Sequence, residues 1–163
     1  MTVLLTMGVI GLLFAKPKRN SDAYPQFADL SQQNAARLDQ QRTVVADAAK
    51  QRYRTASLTR TKADLSVLQK LIDDEAFSKS QTYQLQCLGV AFGDVLASEL
   101  PLRWAMITDE YGTDPTLRFK KTSMSINALT LISKRIEREE AVSLSDLLST
   151  TRQRLSEFEK QVR

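Results

Sequence analysis

The stretch WAMITDEYGTDPTLRF, residues 104–119, gathers three carboxylates (Asp109, Glu110, Asp114), Tyr111 and Arg118 within sixteen residues. Carboxylates clustered near a turn can hold Mg²⁺ or Ca²⁺ through oxygen ligands, and two carboxylates in unlike surroundings can divide acid and base work. On that reading the chain is a carboxylate-based, divalent-metal-dependent hydrolase with Asp109, Glu110 and Asp114 as ligands. The spacing argues against it. D-E-x-x-x-D lacks the alternating ligands and distant glutamate of a calcium loop, and in a strand running through Asp109 and Glu110 the two point to opposite faces. A structural reading accounts for the same residues. Asp114 before Pro115 makes a turn, Gly112 supplies a positive φ, and Arg118 or Arg103 pairs with Asp109 across a hairpin. Tyr111, set in a turn among charges, is expected to be exposed and suited to anchoring a partner. Asp109, Glu110, Tyr111, Asp114 and Arg118 are therefore the candidate binding residues, with no catalytic residue assigned.

Composition excludes several kinds of chemistry. The chain of 163 residues contains no histidine, which removes the usual general base near neutral pH and every Ser-His or Cys-His arrangement. The one cysteine, Cys87, forms no internal disulfide and sits in an apolar helical pattern as a small core residue. Zinc sites built from Cys and His are excluded. The five glycines do not make a phosphate loop, and no cofactor is expected. Residues 16–62 carry ten basic against four acidic side chains, 63–115 three against nine, and 116–163 ten against six. Such runs read as acidic and basic segments laid against each other in the fold. Without a basic groove interleaved with aromatics, nucleic acid is not an expected partner. Lys134, Arg135 and Arg138 fit a helix end, where cations meet the carbonyl dipole.

The elements that must position the candidate residues follow from periodicity. Residues 29–55 form a long helix with a thin apolar stripe, Leu38, Val45, Ala49 and Tyr53. Thr61 with Asp64 resembles a capping box and opens a helix from 62 to about 75 with Leu65, Leu68, Leu71 and Ile72 on its buried face. Ser78 with Gln81 opens the next, which runs to about Leu100 before Pro101 and presents Leu85, Leu88, Phe92, Val95 and Leu96. Gly89, Gly93 and Ala97 lie on one line of that helix. Each glycine there costs about 1 kcal/mol of helix propensity, so close approach of another backbone, a strand, is expected across this face. Alternation in LRWAMITD and in TLRFKK then gives a hairpin over about 102–120, with EYGTDP as a loop of several residues and Trp104 in the core. Residues 123–139 fit either a helix capped by Ser123 or Ser125 or a third strand. Ser143 with Asp146 caps the last helix. Its near-heptad seam over 144–162 seeks a partner in the helix of 29–55 or in a second subunit, so a structural homo-oligomer is a further reading.

At the amino terminus MTVLLTMGVIGLLFA is uncharged in its side chains and is followed at once by KPKR. Fifteen helical residues would span about 22 Å, short of the ~30 Å hydrocarbon core. The expectation for residues 1–15 is a short membrane anchor with its basic flank cytoplasmic. The alternatives are a buried element of a soluble, cytoplasmic protein or a start that trims a longer signal. Residues 16–28 read as a linker and 29–163 as one domain.

The order of a Gln-rich helix, a leucine-rich helix, a helix with LGVAFG, a Trp strand, DEYG and LTLISKRIEREE resembles a bacterial domain family known only as a domain of unknown function, over roughly residues 30–150. The resemblance implies an α+β fold and a bacterial source, but no activity. The combined expectation is a helix-rich single α+β domain with a small antiparallel sheet packed on helices. It would sit at the bacterial inner membrane facing the cytoplasm and act as a non-enzymatic, immunity- or adaptor-like module that binds an unknown protein.

Overall fold

The computed structural model describes residues 25–54 and 57–161. Element order is β1 (Gln26–Ala28), α1 (Gln32–Tyr53), a 3-10 turn (Lys62–Asp64), α2 (Leu65–Asp73), α3 (Thr82–Glu99), β2 (Leu102–Asp109), β3 (Gly112–Phe119), β4 (Ser125–Ile126), α4 (Ala128–Glu137) and α5 (Leu144–Gln161). The strands form an antiparallel sheet in the order β1-β2-β3-β4. This is the expected α+β domain. The anchor expected at residues 1–15 lies outside the described residues. Among those described, no helix is long and apolar enough to cross a membrane.

Helix starts follow the short polar residues. The Ser31 hydroxyl accepts from Asn34 N at 3.2 Å. Thr61 caps the 3-10 turn, while the Asp64 carboxylate reaches back to the N–H groups of Thr59 and Arg60 at 2.9 and 2.7 Å. Helix α3 begins three residues later than expected, after Gln81, whose side chain caps no N–H of the helix; its Oε1 accepts instead from Ser78 N at 2.8 Å in the preceding turn. Ser143 accepts from Asp146 N at the start of α5.

The core forms around α3, whose residues 87–96 are buried without interruption. A helix apolar on every side must be surrounded. Here α1, α2, α4 and β2 all contact it. Gly89 is the tightest point: a Cβ there would stand 2.3 Å from Ala128 O and 2.8 Å from Leu129 O. The backbone that approaches this small-residue face is therefore the first turn of α4, not the expected strand. Gly93 instead makes room for the Trp104 ring.

Four further expectations are corrected. Gln26–Ala28, placed in the linker, pair with Met106–Thr108 as an edge strand. Residues 123–139 divide into β4 and α4, and the helix is capped by Asn127 rather than by Ser123 or Ser125. The seam of α5 buries Leu144, Leu148 and Leu155 within the chain, against α2 rather than α1. Its far end meets Phe119, the Phe158 ring lying edge-on at 6.1 Å. Finally, EYGTDP is not a loop of several residues: Asp109 pairs with Gly112 and Ile107 with Asp114, leaving Glu110 and Tyr111 as the whole connection.

Two outcomes test this packing. Gly89→Ala gains about 1 kcal/mol of helix propensity but forces a methyl group into the α4 backbone. A net loss of about 1–3 kcal/mol in chemical denaturation is expected, and equal or greater stability would contradict the contact. The second concerns Tyr53, whose hydroxyl donates to Asp74 Oδ2 at 2.6 Å and whose phenol is pushed up to about 12 by burial and by that carboxylate. A raised native value keeps its stabilisation intact below the unfolded value of about 10 and removes it as the pH climbs through about 12. Wild-type stability should therefore fall more steeply than that of Tyr53→Phe across this alkaline window.

Candidate functional site

The hairpin tip is built by Asp109. Its Oδ1 accepts from the N–H groups of Tyr111 at 2.8 Å and Gly112 at 3.2 Å, an Asx turn that closes a two-residue connection. Gly112 has φ +143°, and a Cβ there would meet nothing within 4 Å, so the need for glycine is conformational and not steric. Thr108 and Thr113 join their hydroxyls at 2.9 Å one pair below. On this closed turn Tyr111 is 89% exposed. A hydrogen bond with the neighbouring Glu110 raises its phenol pKa above the ordinary value.

Asp109, Glu110, Tyr111 and Asp114 thus share the tip, but Arg118 does not join them. Its guanidinium donates to the carbonyls of Thr122 at 2.7 Å and Lys121 at 3.1 Å and lies 4.2 Å from the Phe27 ring. Arg103 pairs with Asp29 at 2.6 Å, so neither arginine bridges to Asp109 as expected. The reason is register: Arg103 and Arg118 face each other at the end of the hairpin away from the tip. Asp114 and Pro115 are strand residues, not turn residues. Phe119 N donates to Met124 O, toward the β4 side of β3. Pro115, four residues earlier on the same side, places its missing N–H on the stretch of edge that β4 does not cover, where it disrupts no ladder. Among the described residues no group of three or more Cys, Asp or Glu side chains could hold a metal ion.

A second constellation escaped the sequence reading. Asp94, 7% exposed in the middle of α3, receives the Arg42 guanidinium in two hydrogen bonds, Nε to Oδ2 at 2.6 Å and Nη2 to Oδ1 at 2.7 Å. The Trp104 indole N–H donates to the same Oδ1 at 2.8 Å. Arg42 also holds Asp39, which Arg60 meets from outside at 3.2 Å. Burial lowers the guanidinium pKa while Asp94 and Asp39 raise it, and the net shift is upward. A cleft of about 230 Å³ opens beside this cluster, between Arg42, Arg60, Asp64 and Asp94. The three hydrogen bonds to Asp94 join α1, α3 and β2. The one available signal was a charged residue in the otherwise apolar run LGVAFGDVL. Its partner, 52 residues away, gave none.

Fold and site together define a small helix-rich α+β module whose β2–β3 hairpin ends in an exposed tyrosine. Residues 64–147, just over half of the chain, match the family described as a domain of unknown function, DUF3806, and the chain belongs to that family. A crystal structure from Bacteroides thetaiotaomicron VPI-5482, at 1.50 Å resolution, shares the fold with a TM-score of 0.70 at 13% identity. The similarity covers 78% of this chain but 47% of that one. No curated protein matches.

Removing the charge of Asp94 while keeping its shape tests the buried cluster. Asp94→Asn leaves an acceptor for Trp104 and leaves Arg42 its ion pair with the exposed Asp39, and a loss of about 1–3 kcal/mol in unfolding free energy is expected. A loss below about 1 kcal/mol, the scale of a surface ion pair, would show that the cluster is effectively solvated.

Proposed function

We propose that this chain is a non-enzymatic protein-binding module, held at a membrane by its amino-terminal apolar segment, with the hairpin tip as its contact surface. The observation that carries the reading is Tyr111, 89% exposed on a turn already closed by Asp109. A large aromatic on a fixed backbone loses little conformational entropy when it enters a partner's pocket, and tyrosine is among the residues enriched at binding hot spots.

Strand direction is compatible with the proposed tether. Gln26 pairs with Thr108, beside the tip, so the chain enters the sheet at the hairpin end. An anchor in residues 1–15 would then lie a short linker away from Tyr111, and the partner suited to this geometry is a protein at the same membrane.

The test compares wild-type, Tyr111→Ala and Tyr83→Ala proteins in pull-downs from bacterial membranes, followed by titration of the captured partner. Tyr83, the other exposed large apolar residue among those described, serves as the control. Loss of a hot-spot tyrosine is expected to weaken binding about 30-fold, corresponding to ~2 kcal/mol. Tyr83→Ala should bind as wild type. Equal affinity for Tyr111→Ala would remove the hairpin from the contact.

A further inference from the structure

A second cleft, about 740 Å³, opens where the α2–α3 connection meets the end of α4. That size is within the range of roughly 300–1,000 Å³ typical of small-molecule sites. Its accessible apolar walls are the half-buried Phe77, Ile136 and Val142, with the fully buried Leu85 and Leu88 of α3 behind them. These walls give a hydrocarbon or aromatic body an apolar contact within a mixed lining.

The rim selects the charge of what enters. Asp73, Glu75, Glu139 and Glu140 all border the cleft, against a single cation, Lys79. Lys79 Nζ already lies 2.6 Å from Glu139 Oε1, so the lip holds an ammonium group contributed by the protein itself. Both side chains are about two-thirds exposed or more, 65% and 73%. An exposed pair of this kind is worth about 0–1 kcal/mol and yields readily to a competing cation. Glu140 is held only loosely, 3.9 Å from Arg138, and Glu75 has no ion-pair partner among the described residues.

We infer that this cleft is a binding site for small organic cations with an apolar body and a single ammonium group. The body lies against Phe77, Ile136 and Val142. The ammonium sits at the lip with Glu75 and Glu139 in the manner of Lys79. The inference is independent of the hairpin and its partner.

The experiment titrates the full chain with phenethylammonium, phenylacetate and phenethyl alcohol, which share a carbon skeleton of nearly equal size and differ in charge. The methyl resonances of Leu85, Leu88 and Ile136 report occupancy. Phenethylammonium should shift these methyls saturably and bind about tenfold or more tightly than phenylacetate. The exposed double variant Glu75→Gln with Glu139→Gln, which disturbs no buried residue, should lose about tenfold for the cation while its binding of phenethyl alcohol is unchanged. Similar affinity for all three compounds would overturn the charge selectivity. No movement of these methyls, or movement only elsewhere, would overturn the site.

Discussion

A single carboxylate inside the most deeply buried helix constrains the rest of this structure. Asp94 lies in a run of ten consecutive buried residues, and α3 is apolar around nearly its whole circumference. An isolated carboxylate in such a place would be prohibitively costly, so the surroundings must bring it donors. Arg42 arrives from α1 and Trp104 from β2, and one side chain thereby fixes a helix and a sheet to the central helix. Apolar side chains of equal volume would hold these elements at least as firmly. They would not penalise a slipped arrangement in the same way. If α1 moved by one turn, about 5.4 Å, Arg42 would no longer reach Asp94, and a buried charge would be left without its partner.

The same helix explains the small residues that accompany the charge. Gly89 lets the α4 backbone approach α3, and Gly93 gives the Trp104 ring its place beside Asp94. The helix propensity lost at these positions therefore accompanies one contact that seats α4 on α3 and one that orients the sheet. With β2 held by Trp104, and β3 registered on β2 over eight residue pairs, the hairpin leaves the body in a defined direction. Its tip needs only local chemistry: an aspartate that caps two N–H groups and a glycine with a positive φ.

What could be read from the sequence divides along the range of the interactions. Capping residues act within three or four positions, and Thr61 and Ser143 stand at helix starts as their neighbours imply, whereas α3 begins after Gln81 and not at Ser78. Alternation revealed β2 and the second half of β3, because burial on one face imposes a period of two. The turn was misplaced because Asp114-Pro115 carries a strong local turn signal. That signal is overridden where an edge position tolerates proline and Asp109 closes the chain earlier. The strand β1 is three residues long and gains its hydrogen bonds from a segment almost eighty residues later, so no local pattern marks it. The Asp94 cluster was hidden for the same reason, since a lone acid in an apolar helix announces a need for partners without naming them.

Charge shows how the long-range part of the fold reorganises what looks one-dimensional. The acidic balance of residues 63–115 suggested a segment lying against basic ones. Some of it does, through Arg42 on Asp94 and Arg152 on Glu99. Asp64 is instead absorbed by backbone N–H groups of its own loop. The remaining acids of that segment separate into two groups, Asp73, Asp74 and Glu75 at the end of α2 and Asp109, Glu110 and Asp114 around the hairpin tip. Of the first group Asp73 and Glu75 border a cleft while Asp74 accepts from the Tyr53 hydroxyl, and the second group lies near an exposed tyrosine. Carboxylates beside exposed apolar surface attract cations and keep that surface from associating with another acidic surface of its own kind.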